Sequence, residues 1–139
     1  VYGGQNLERA LHYKADTFAS SFVENLGNGS FKIHKLPNMA QLSNINDMLV
    51  DDFNEDGNLD ILAIGNLFAS EIETPRNDAG TGILLLGSGK GAFKTVPSYE
   101  SGLIARKDAK KIVKVGVGNQ QILFIANNDD VLQGFTVLN

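Results

Sequence analysis

The chain has 139 residues, no cysteine, and 12 basic against 16 acidic side chains, a formal net charge of −4. That length suits one domain with a real core. The acidic balance excludes the basic footprint that nucleic-acid binding requires. With no cysteine, disulfides, thiol catalysis and thiolate metal sites are excluded as well, and apolar runs such as Ile122 to Ala126 are too short to span a membrane.

In chain order, NLERALHYKA (6–15) is the one stretch with any helical period, and it is weak. SSFVEN and SFKIHKL then flank Asn28-Gly29, a pair that accepts the positive φ of a tight hairpin turn. NDMLVDD and LDILAIG form a second strand pair, joined by an acidic loop. GILLLG and AFKTVP form another hairpin around a Gly-rich turn. KKIVKVGV and QQILFIA close the series across the short GNQ. Fifteen glycines against three prolines agree with this succession of strands and tight turns, and the fold class expected is all-β.

The units repeat. ENLGNGSFK (24–32) and LGSGKGAFK (86–94) share G-x-G-x-F-K, so Phe31 matches Phe93 at an offset of 62 (93 − 31). DILAIGN (60–66) faces QILFIAN (121–127) at an offset of 61 (127 − 66). A unit of roughly four strands recurring every ~60 residues is the pattern of a β-propeller blade. The expected layout is a single all-β propeller fragment: a partial unit over 1–45, a complete unit over 46–98 and a partial unit over 99–139. Two units and a fraction cannot close a ring, so the chain is expected to be part of a larger one or to complete itself by self-association. A two-sheet sandwich of the same strands is the alternative architecture. No segment reads as a signal peptide, and a start at Val1 without Met leads to the expectation that upstream sequence has been removed.

The chemistry concentrates in DDFNEDGNLD (51–60), which crowds Asp51, Asp52, Glu55, Asp56 and Asp60 together before a strand that reads as buried. Like charges this close repel unless solvated or neutralised. Asp52, Asn54, Asp56 and Asp60 occupy loop positions 1, 3, 5 and 9, Gly57 sits at 6, and Asn58 offers its carbonyl at 7. This spacing lets one loop curl its oxygens around a hard cation such as calcium, with glycine at the sharp bend. An EF-hand would need an acidic residue at position 12 and a following helix; here position 12 is Ala63 and a strand follows. Asp51 is expected to turn away from the site by strand alternation.

D-x-[DN]-x-D-G-x-x-D entering a strand, then GN, then a G-x-G-x-F hairpin, resembles the FG-GAP/VCBS repeat. That family includes the calcium-loop blades of integrin α-subunit propellers, and the stretch also looks like the C-terminal part of large bacterial secreted VCBS-repeat proteins. The resemblance covers roughly 20–137. It implies propeller blades of four-stranded antiparallel sheets and one Ca2+ held by Asp52, Asn54, Asp56, Asn58 and Asp60. It also implies an extracellular, periplasmic or cell-surface location. The third unit, VGVGNQQ, lacks the acidic ligands, so no cation is expected there, and the first unit lacks its leading strand pair.

The other candidates carry less. The long loop 66–82 offers Glu71, Glu73, Arg76 and Asp78 for acid–base work or anion binding. However, Lys14 and Asp16 echo Arg76 and Asp78 at the repeat offset, which favours structural ion pairs. His12 and His34 sit in no metal or triad pattern. Asn28-Gly29-Ser30 matches a glycosylation sequon, and ARKDAKK (105–111) reads as a solvated basic run. The function expected is a calcium-stapled interaction module for a protein or glycan ligand, not an enzyme. The alternative is a carbohydrate-binding or catalytic propeller whose site is shared with blades outside this chain. Eight Phe and three Tyr without Trp offer few platforms for sugar stacking.

Overall fold

Three antiparallel sheets make up the computed structural model, which describes residues 4–138. The first is a hairpin of β1 (Ser21–Gly27) and β2 (Ser30–Lys35). The second runs β3 (Asp47–Asp51), β4 (Asp60–Ile64), β5 (Ile83–Gly87), β6 (Phe93–Val96), in that spatial order. The third holds β7 (Ala109–Val117), β8 (Gln120–Asn127) and β9 (Gln133–Val137). The all-β expectation therefore holds, and none of the sheets closes on itself.

Local chemistry explains the turns. Asn28 (φ 52°) and Gly29 (φ 76°) both adopt the left-handed conformation that a two-residue hairpin demands. The weak helical stretch near the N-terminus shrinks to one turn, α1 (Gly4–Glu8), with no buried residue. A lone turn with nothing to pack against has too few hydrogen bonds to propagate. Two short elements were not foreseen in the sequence: a 3-10 turn at Asn38–Gln41 and α2 (Ser98–Ser101), each placed directly after a proline. No helix among the described residues is long and apolar enough to cross a membrane.

Two apolar cores lie between successive sheets. One gathers Leu36, Ala40 and Leu85, with Phe22, Ile61, Ile83 and Phe93 packed around them, between the first and second sheets. Phe22 meets Phe93 edge-on at 5.7 Å between ring centroids. The other joins Leu62 and Ile64 of β4 to Ile112, Leu123 and Ile125 of the third sheet. The second sheet thus sends one face back to the first sheet and the other forward to the third.

This packing corrects the phase of one repeat. At the offset of 61, Leu62 matches Leu123, yet both side chains point into the same core. Units stacked in succession should instead turn matched residues the same way round. An offset of 62 (123 − 61) pairs Ile61 with Leu123, and each of these faces the preceding sheet. The same offset pairs Phe22 with Leu84 (84 − 22), each facing the following sheet. One offset of 62 therefore relates both hairpin and inner strands.

The inner strands of neighbouring sheets are tied by polar contacts. Asp47 of β3 accepts the Ile112 N–H at 2.8 Å and pairs with Lys111 at 3.0 Å, while Asp51 pairs with Lys114. Asp51 thus points toward the third sheet, away from the acidic loop's interior.

Candidate metal centre

The 52–59 loop is curled by two left-handed residues that flank Asp56: Glu55 (φ 59°) and Gly57 (φ 85°). Glycine accepts that conformation freely, whereas at Glu55 it carries backbone strain. The curl turns backbone N–H groups inward onto the carboxylates. Asp52 accepts from Asp56 N–H at 3.0 Å through one oxygen and from Gly57 N–H at 2.8 Å through the other. Asn54 Oδ1 accepts Asp56 N–H at 3.2 Å, and its Nδ2 donates to Asp56 Oδ2 at 3.1 Å. Asp56 Oδ1 accepts both the Asn58 N–H at 2.8 Å and Asn58 Nδ2 at 2.9 Å.

Asp60 closes the loop and is fully buried. Its two oxygens accept Phe53 N–H at 2.9 Å and Gly87 N–H at 2.8 Å. The first bond fixes the base of the loop and the second ties it to the end of β5. Gly87 is needed there because a Cβ would lie 2.1 Å from the Leu59 carbonyl oxygen. Sequence reading missed Gly87, although its signal was present in the three alternating glycines of LGSGKG.

All five ligand candidates thus sit in one loop or at its closure, with Asn54 and Asp56 exposed, Asp52 and Asn58 half-buried and Asp60 inside. Their donors are hard oxygens, three of them on anionic side chains, which suits calcium or magnesium rather than zinc or copper. Among the described residues no three His, Cys, Asp or Glu side chains converge as they stand on a metal-holding point. The carboxylates are turned onto the loop's own N–H groups instead. A carboxylate has about four lone-pair sites, so the two bonds accepted by Asp52 and by Asp60 and the three accepted by Asp56 leave each with capacity for a cation.

The hydrogen bonds also set acidity. Asp56 is held below the ordinary aspartate value of 3.8, first by the Asn58 N–H and then by Asn54. Burial pushes the Asp47 carboxyl up, but the Ile112 N–H and the Lys111 ammonium outweigh it and leave the net value lowered. Asp130 is lowered by its hydrogen bond from Lys107 and by the Val131 N–H. Each binds its proton more weakly folded than unfolded. The resulting stability is complete above the unfolded value and is lost as pH falls through the lowered folded value. The urea midpoint is therefore expected to be flat near neutrality and to fall steadily below about pH 4. Asp47→Asn should lower the midpoint at pH 7 and flatten the acid limb; an unchanged acid limb would contradict the assignment.

The long loop 66–82 folds on itself. Arg76 Nε pairs with Asp78 at 2.7 Å, its guanidinium lies 4.6 Å from the centre of the Phe68 ring, and Leu67 bridges to Asn77. Lys14 pairs with Asp16 at 2.9 Å, the same arrangement one unit earlier. Glu71 and Glu73 are exposed. They line neither the groove of about 100 Å3 beside Ser43, Asn44 and Gly80 nor the one of about 650 Å3 walled by Phe53, Leu84, Leu103 and Phe135. His34 bonds to Glu24 at 2.8 Å and lies half-buried against Phe22.

Two buried polar residues were not expected from the sequence: Asp108, inside the ARKDAKK run that reads as solvated, and Asn66, fully buried after β4. Asn66 Oδ1 accepts Ser43 Oγ at 2.8 Å and Gly80 N–H at 2.9 Å. Its Nδ2 reaches the carbonyls of Gly80, Arg106 and Lys107 at 3.0, 3.2 and 3.1 Å. It pins the second sheet's long loop to the segment entering the third sheet.

No family model matches the chain, no curated protein matches it, and no solved structure matches it. The resemblance to FG-GAP/VCBS repeats therefore rests on the loop and hairpin residues themselves.

Proposed function

We propose that this chain is a run of FG-GAP/VCBS-type blades in which the 52–60 loop binds one calcium ion as a structural staple. The observation that carries the reading is Asp60. A fully buried carboxylate with only backbone N–H partners stands at the closure of a loop that adds two more candidate-ligand carboxylates, Asp52 and Asp56. Burying an anion without a cationic partner is costly. A divalent ion bound by Asp52, Asn54, Asp56 and Asp60, with the Asn58 carbonyl, would neutralise most of that charge and join β3 to β4. The role is structural, and the module it braces serves an interaction with a protein or glycan ligand outside the cell or at its surface.

A calcium titration followed by amide NMR tests this. The Phe53, Gly57 and Asn58 resonances are expected to shift together with a single dissociation constant, on the order of 10⁻⁴–10⁻³ M if the site behaves as extracellular modules do. Asp52→Ala should weaken that constant at least about tenfold, the loss of one charged ligand. Unmoved loop resonances at ten millimolar calcium would overturn the reading.

A further inference from the structure

The two ends of the sheet stack are apolar, and the chain's own repeat says what each is built to cover. On the third sheet, the face turned away from the second carries Val113, Val115 and Val117 of β7, 42%, 39% and 53% exposed. Cross-strand pairing sets Phe124 beside Val113 and Ile122 beside Val115. The Phe124 ring lies over Gly134 of β9, within 3.6 Å of where a Cβ would stand. This face carries one charge at its margin, Lys111, which is already paired with Asp47. At the offset of 62, Phe124 is the counterpart of Leu62, which is buried against the next sheet along.

The first sheet shows the opposite face. Val23 and Ile33 form a cross-strand pair there, with Phe31 alongside, and they are 54%, 61% and 62% exposed. Their counterparts at the same offset are Leu85, Thr95 and Phe93. Leu85 and Phe93 belong to the core against the preceding sheet. One end of the molecule thus offers a backward face and the other a forward face, and the chain already makes that junction twice within itself.

We infer that the Val113–Val115–Phe124 face of one copy docks on the Val23–Phe31–Ile33 face of a second copy, head to tail. Exposed apolar faces of this kind mark association surfaces. Because the two faces differ, the contact is heterologous and each copy keeps one free end for another. The docking continues the internal sheet-on-sheet packing, so it rests on the repeat and not on the cation. Either reading can fail while the other stands.

Analytical ultracentrifugation of the 139-residue chain tests it with two exposed-site variants, Val115→Asp and Ile33→Asp. Val113→Lys and Val23→Lys form a second pair, and circular dichroism confirms the fold of all four. Wild type is expected to gain mass with concentration beyond a single chain. Each single variant should remain monomeric over the same range. An equimolar mixture of one variant from each face should recover a two-chain species and stop there, since only one intact junction remains possible. A monomeric wild type, a mixture that stays monomeric, or an Ile33→Asp variant that assembles like wild type through back-to-back pairing would each overturn the inference.

Discussion

Replacing Asn66 by alanine is expected to lower the stability of the fold by about 3–4 kcal/mol, a loss on the order of 10 °C in melting temperature. The side chain is fully buried and answers polar groups from three separate segments, at Ser43, Gly80 and Arg106–Lys107. Alanine removes every one of those bonds and leaves the Gly80 N–H and three carbonyls with no side-chain partner. Each buried group left unpaired costs about 1–3 kcal/mol, partly relieved if water enters. Asn66→Asp keeps the shape but aims a carboxylate at the Arg106 and Lys107 carbonyl oxygens. That variant should be less stable than Asn66→Ala at pH 7 and should recover as pH falls, because protonation restores one donor. The check is a urea melt of the three proteins at pH 7 and pH 5. A loss below about 1 kcal/mol for Asn66→Ala would mean that the pin is not structural.

The residues that could be read from sequence are those whose local chemistry admits one answer. Asn28-Gly29 demanded a tight hairpin turn, and the left-handed pair is there. The ion pairs Arg76–Asp78 and Lys14–Asp16 followed from their echo at the repeat offset, and both form. The ladder of the 52–60 loop also follows from its sequence, because short polar side chains spaced by two naturally bond their neighbours' N–H groups. Which way the inner strands face did not follow. Ala63 and Ile64 of β4 are both buried, so ILAI carries no alternation to fix its phase, and a one-residue slip of the match went unnoticed. β9 was missed for a related reason: QGFTV is short and its Gly134 weakens the strand signal, while the Phe124 ring that fills the gap comes from a neighbouring strand. In the sequence Asn66 stood out only as the last residue of the repeated DILAIGN block. Its partners lie 14 to 41 positions along the chain, beyond the reach of any local pattern.

The acidic loop is where fold and proposed role meet. Its bends gather the three candidate-ligand carboxylates, Asp52, Asp56 and Asp60, within nine residues, each already accepting backbone N–H bonds. Those bonds shape the loop but leave its net charge unbalanced, which a divalent ion would correct. Calcium that binds the folded form alone stabilises it by about 2.7 kcal/mol at 100 times its dissociation constant. For a domain of this size that corresponds to roughly 6–12 °C in melting temperature. Asp56 stands at the loop's tip, exposed and outside both apolar cores. Asp56→Ala should therefore remove the calcium-dependent gain while the sheets persist.

The most direct measurement is the melting temperature of wild type and Asp56→Ala, each recorded with saturating calcium and again with chelator. The proposed staple predicts a clear rise for wild type in calcium and nearly coincident curves for Asp56→Ala. Coincident wild-type curves in the two buffers would contradict it.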